Sequence, residues 1–308
     1  ASKAGPVWTG KLALAPNHIL TQPLRWRRPR RIFVNSMSDL FHDDMPTGWI
    51  DRVFAVMALA PQHTFQVLTK RPWRTREYLS HARRPYEIAR TFLDQLAAGS
   101  YPKSAVVDAT WPVVSEGDDI DNPTDVRIGM WPLPNVWIGV TAEDQIRADE
   151  RIPDLLATPA ARRFVSIEPM LGPVDLTSVS PNGIQRINAT SGYSSTPDYS
   201  GWPRLDWVIC GGESGPNARP MHPDWARSLR DQCAAVGVPF FFKQWGEWHP
   251  CEVTDDAWYP MPGHAPFGSW SAPVYDEKNH DGWNWRRLGT RRAGDTLDRR
   301  QHPEFPED

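Results

Sequence analysis

The chain has 308 residues, 40% of them hydrophobic and 23% charged, with a formal net charge of −3. That length buries a large core in one α/β barrel or two smaller domains, and the charge gives no global reason to expect nucleic acid or an anionic membrane. No apolar run is long enough to span a bilayer, no secretory signal is read in the opening residues, and Cys210, Cys233 and Cys251 are too widely spaced for a disulfide framework or metal cluster. A reducing, cytoplasmic setting is the resulting expectation.

In chain order, residues 1–30 have little strand character until the basic run Arg25–Arg31. Six short apolar runs then end abruptly in polar residues: 31–39 (RIFVNSMSD), 64–71 (TFQVLTKR), 136–144 (VWIGVTAED), 163–169 (RFVSIEP), 206–214 (DWVICGGES) and 238–245 (VPFFFKQW). Density of β-branched and aromatic residues over so short a span suits strands buried on both faces. Helical spacing follows the first run at 47–59, with Thr47 as the expected N-cap, and continues at 72–81, running on through 87–98. The third and fifth runs are followed by helices at 145–157, with Ile146, Ile152 and Leu155 as its apolar side, and at 223–236, ended by Gly237. Residues 99–134, acidic at 116–119, and 177–204, rich in Ser, Gly, Asn and Pro, are predicted loop insertions. The expectation is an α/β barrel with a polar mouth over 1–248 and an irregular Trp- and Pro-rich extension over 249–308 packed on it.

Ligands of parallel α/β folds bind at the carboxyl ends of the strands. Gly211-Gly212-Glu213-Ser214-Gly215 is the strongest local signal there, because paired glycines admit a ligand close to backbone N–H groups. A tight strand-exit turn is the plainer alternative. Glu168 ends an apolar strand just before Pro169, with Lys70, Arg71 and Lys243 as candidate ion-pair partners. Lys243, after three phenylalanines, is expected to have a dry stem. Ser36, Ser38 and Asp39 end the first strand. His42 with Asp39 is weak evidence for metal, since such clusters are more often loop caps. Arg25, Arg27, Arg28 and Arg30 around Trp26 could grip phosphate or form a solvated edge. No P-loop, nucleophile elbow, zinc spacing or Rossmann fingerprint is present.

The strings RRIFVNSMSDLFHDD, HTFQVLTKRP, NVWIGVTAEDQIRADERIP, FVSIEPMLGPVDL, DWVICGGESGPNARPMHPDW, VPFFFKQWGEW and AGDTLDRRQHPEFP resemble those of a phage-associated, radical-SAM-like family of unknown function, named after phage gene products thirty-seven and sixty-eight. The resemblance implies a partial barrel of the radical-SAM, TIM-like type. It further implies a three-cysteine motif holding an iron–sulfur cluster, with S-adenosylmethionine on its open iron. No cysteine precedes Cys210, so that motif is expected upstream of residue 1 or lost, and no metal ligand is assigned in this chain. By strand order, the resemblance puts Ser36, Ser38 and Asp39 at the methionine moiety and Thr141 and Glu143 at the ribose. Glu168, Gly211, Gly212 and Glu213 would complete the wall, and Lys70 and Lys243 would meet an anionic substrate, with Glu168, Lys243 and Lys70 as the catalytic candidates.

Three functions compete. One is a radical-SAM-type enzyme modifying a nucleotide, nucleic acid or peptide, in which the cofactor does the hard chemistry. The second is a non-catalytic nucleic-acid- or partner-binding barrel that uses Arg25, Arg27, Arg28 and Arg30. The third is a cofactor-free hydrolase with Glu168 and Glu213 as its acid–base pair.

Overall fold

The computed structural model describes residues 12–101, 113–115, 126–194, 203–252, 259–260 and 283–306. The acidic centre at 116–119 and the Trp-bearing stretch at 261–280 lie outside the described residues. Two compact units divide the chain: Ala1–Trp137 with Pro159–Ala161, and Ile138–Thr158 with Arg162–Asp308.

The first unit begins with the single turn α1 (Asn17–Leu20), then strand β1 (Arg31–Val34), helix α2 (Thr47–Ala58) and strand β2 (Thr64–Thr69). β1 and β2 pair in parallel, with Ile32 opposite Phe65 and Val34 opposite Val67. β2 is largely buried, whereas every residue of β1 is exposed or half-buried and Phe33 is 46% exposed. β1 is an edge strand, so burial on both faces does not hold there. Pro46, not Thr47, occupies the N-cap of α2.

Helix α3 (Pro72–Ser80) stops at the extended His81, and α4 (Arg84–Ala97) starts afresh. Pro85 accounts for this break: its missing N–H and its ring cannot continue a helix, but both fit a first turn. A short antiparallel pair, β3 (Val113–Ser115) and β4 (Val126–Ile128), follows. Phe41, Phe54 and Tyr78 pack edge-on or tilted in the core, with ring centroids 5.3 to 6.5 Å apart. Beside them Arg84 and Tyr78 both donate to buried Asp51, at 3.1 and 2.7 Å.

Strand β5 (Val136–Thr141) carries the boundary between the units and is buried throughout. The second unit continues with α5 (Gln145–Ala157), β6 (Arg162–Ile167), the two-residue strands β7 (Ile187–Asn188) and β8 (Tyr193–Ser194), β9 (Trp207–Gly211), α6 (Pro223–Ala234) and β10 (Phe240–Gln244). In α5, Ile152 and Leu155 are buried but Ile146 is 65% exposed. At about 100° per residue Leu155 lies opposite Ile146 on the helix and Ile152 about 120° round from it, so Ile146 falls off the buried face.

One six-stranded sheet runs β1-β2-β5-β6-β9-β10, so the six apolar runs of the sequence are its six strands. The protein is α/β with a parallel sheet. A three-stranded antiparallel sheet then orders β12 (Tyr259–Pro260), β11 (Trp248–Glu252) and β13 (Trp283–Arg287). A short helix, α7 (Thr290–Ala293), and the pair β14 (Thr296–Leu297) and β15 (Arg300–Gln301) complete it. The extension is therefore more regular than its sequence suggests. Its end covers the free edge of β10: Phe242 N–H donates to His302 O at 2.9 Å, and Trp207 Nε1 donates to Glu304 O at 2.8 Å.

Candidate ligand site at the strand ends

In the second unit, the carboxyl ends of β6, β9 and β10 bring Glu168, Gly211 and Lys243 together. Glu168 Oε2 lies 2.9 Å from Lys243 Nζ, and Glu168 Oε1 accepts from Gln244 Nε2 at 3.2 Å. Gln244 Nε2 also reaches Ser214 Oγ at 3.3 Å, and Thr290 Oγ1 lies 3.2 Å from that hydroxyl. A register shift between Phe242 and Gln244 leaves Lys243 as the extra residue of a bulge opposite β9. Such a bulge re-aims one side chain and commonly borders functional sites. Lys243 is not dry: its side chain is 51% exposed, against 19% for Glu168.

The two glycines serve the protein's own packing. A Cβ on Gly211 would sit 3.0 Å from Glu168 Oε1, and one on Gly212 would sit 1.8 Å from the carbonyl oxygen of Trp245. Glu213 turns away into a clamp, accepting from the Arg219 backbone N–H, Nε and Nη2 at 2.8 to 2.9 Å. Those hydrogen bonds hold its carboxyl below the ordinary carboxylate range. That direction is wrong for a general acid, which weighs against a Glu168–Glu213 hydrolytic pair. Thr141 and Glu143 are likewise buried and bound to one guanidinium: Arg151 Nη1 donates to Thr141 O, Thr141 Oγ1 and Glu143 Oε2 at 2.9 to 3.0 Å.

The first unit holds a second strand-end cluster. Asp39 accepts from Thr69 Oγ1 at 2.7 Å, from the N–H groups of Phe41 and Lys70 at 2.9 and 3.0 Å, and from Arg71 Nη1 at 3.1 Å. With both oxygens engaged, Asp39 pins β1 to β2. Ser36, Ser38 and Lys70 are exposed around it. His42 Nδ1 accepts from the Asp44 N–H at 3.2 Å, the loop-cap arrangement. Arg25, Arg27, Arg28 and Arg30 are exposed, and the Arg30 guanidinium lies 4.3 Å from the Trp26 ring centroid.

Among the described residues no group of three His, Cys, Asp or Glu side chains could hold a metal ion. Cys210 is buried with Sγ 3.8 Å from Met170 Sδ, and burial pushes its thiol well up; burial also pushes Cys233 to about 12. Both are inert core thiols. Among the described residues no helix is long and apolar enough to cross a membrane.

Arg151, Arg219 and Thr290 were not singled out from the sequence. Arg151 lies nearly two turns into α5, and no local pattern ties it to Glu143. Residues 3–306 match a family profile described as a protein of unknown function, DUF5131. The chain belongs to this family. No curated protein and no solved structure matches it.

Proposed function

We propose that the Glu168–Lys243 site binds the amino-acid end of S-adenosylmethionine, the cofactor that the family resemblance implies. The observation that carries this is the half-exposed pair itself, set at the bulge on β10. An ammonium and a carboxylate held side by side are complementary to a zwitterionic α-amino acid, whose charges replace theirs in register. An exposed pair of this kind contributes about 0–1 kcal/mol, so little is lost when a ligand parts it. Gln244 and Ser214 supply adjoining polar groups for the rest of the ligand. Lys70, in the other unit, is not assigned to this site, and the ribose contacts assigned to Thr141 and Glu143 are already taken by Arg151.

The iron–sulfur cluster does not fit the described residues, because Cys210 and Cys233 are buried and singly placed. Calorimetric titration tests the cofactor reading with S-adenosylmethionine, methionine and adenosine. Binding of the first two, weakened about tenfold or more in Glu168→Gln, is expected, since a hydrogen bond to a charged group contributes about 1.5–3 kcal/mol. Adenosine binding as tightly as S-adenosylmethionine, with Glu168→Gln indifferent, sinks the reading.

A second reading rests on the four exposed arginines at 25–30. On it, the first unit grips a phosphate backbone, with Arg30 and Trp26 as a stacked pair. Nucleic-acid affinity should then fall with salt, and neutralising Arg27, Arg28 and Arg30 should lower the slope of log K against log salt by about 3. A slope indifferent to those changes removes this reading.

A further inference from the structure

The other end of the same strands carries a separate feature. Where β6, β9 and β10 begin, the second unit has a cavity of about 870 Å3. That volume lies within the roughly 300–1,000 Å3 of small-molecule sites. The six residue steps from Arg162 to Glu168 place it roughly 20 Å from that carboxylate, so it is not part of the strand-end site.

Its charge is one-sided. Arg162, Arg204, Arg230 and Arg300 line it, against the two carboxylates Asp206 and Glu304. Arg162 is engaged by Asp206, whose Oδ1 accepts from its Nη1 at 3.4 Å while Oδ2 accepts from the Arg163 N–H at 2.8 Å; Glu304 Oε2 accepts from the Phe240 N–H at 3.2 Å and its Oε1 lies 3.4 Å from His302 Nδ1. Arg230 is held by Asp231 and Asp298 at 2.8 and 2.6 Å. Arg204 bonds the Val236 carbonyl oxygen at 3.3 Å, and neither it nor Arg300 makes an ion pair among the described residues. The carboxyl end of α6 also borders the cavity, at Ala234. Its dipole is worth about half a negative charge, less than the full positive charge of either Arg204 or Arg300.

Guanidinium forks match phosphate oxygens two at a time, which favours phosphate over a lone carboxylate. The cavity is far larger than a phosphate ion. Phe305 adds an apolar wall, its ring backed by Trp207 at 4.7 Å and Phe241 at 5.3 Å. The geometry points to a binding site for a phosphate-bearing ligand of nucleotide size, with the phosphate on Arg204 and Arg300 and the remainder along Phe305.

The test is calorimetry with AMP, adenosine, and a short oligonucleotide with and without a 5′-phosphate. AMP should bind at least about tenfold more tightly than adenosine, and its affinity should fall between about 50 and 200 mM salt. Arg204→Ala/Arg300→Ala alters two exposed side chains and should keep the wild-type melting temperature while losing about tenfold or more of that affinity. AMP binding identifies a free nucleotide as the ligand; binding confined to the 5′-phosphorylated oligonucleotide identifies a nucleic-acid end. Adenosine binding as tightly as AMP, or a folded double variant that binds both phosphorylated probes like the wild type, overturns the proposal.

Discussion

Two carboxylates, one in each unit, sit against a cation and a hydrogen-bonding neighbour, yet they do opposite work. In the first unit Asp51 and Arg84 are 9% and 8% exposed, and Tyr78 closes the set; burial raises the Asp51 carboxyl above its ordinary range and the Tyr78 hydroxyl well above its own. In the second unit Glu168 and Lys243 are 19% and 51% exposed. Similar charge–charge distances, 3.1 and 2.9 Å, therefore mean different things. A buried pair is costly to break and holds α2 to the start of α4. A half-solvated pair is cheap to open, and that is what a recognition site requires.

The most severe way to sharpen this contrast is Arg84→Met. Leaving Asp51 buried without its cation should cost about 3–5 kcal/mol, measured from urea midpoints. Because the Asp51 pKa is raised on folding, the folded state binds more protons than the unfolded one above the ordinary value of 3.8. Stability therefore falls as pH rises through that window, so the deficit of the variant should narrow toward acid pH. A deficit independent of pH would deny Asp51 this role.

Gly212→Ala attacks the frame of the second site instead. Its Cβ would run into the Trp245 carbonyl, a backbone group that cannot swing aside, and a loss of about 3 kcal/mol is expected in the same assay. Glu168→Gln should cost less than about 1 kcal/mol while abolishing most ligand binding. A loss near that of Arg84→Met would make the second pair structural and erase the contrast.

The smallest effect belongs to Glu213→Gln, about 0.5 kcal/mol at pH 7. Arg219 holds the Glu213 pKa below its ordinary value of 4.5, so the unfolded chain binds more protons as pH falls through 4.5. The contribution of the clamp is present above that value and disappears below the depressed one. Wild-type and variant melting temperatures should accordingly converge in acid. Persistent separation would mean that the clamp is not electrostatic.

The six strands were legible because each is a dense apolar run closed by polar residues, and every one appears in the sheet. What side chains do at strand ends was not legible. Glu143 and Glu213 read as ligand groups, yet Arg151 and Arg219 consume them, and no local pattern pairs a strand end with a guanidinium on a following helix or loop. Of three candidate cations for Glu168, geometry selects Lys243 through a bulge that composition cannot reveal. The break between α3 and α4 had its signal in Pro85 and was overridden by periodicity on both sides. The strand at 248–252 lacks an alternating pattern, Trp283-Asn284-Trp285-Arg286 alternates over only four residues, and their antiparallel pairing is long-range.

The most direct measurement is a crystal structure of the protein grown with S-adenosylmethionine. The account predicts the ligand's ammonium within hydrogen-bonding distance of Glu168 and its carboxylate against Lys243, with the direct Glu168–Lys243 contact opened. The cofactor bound elsewhere, with that contact still closed at about 2.9 Å, would contradict it.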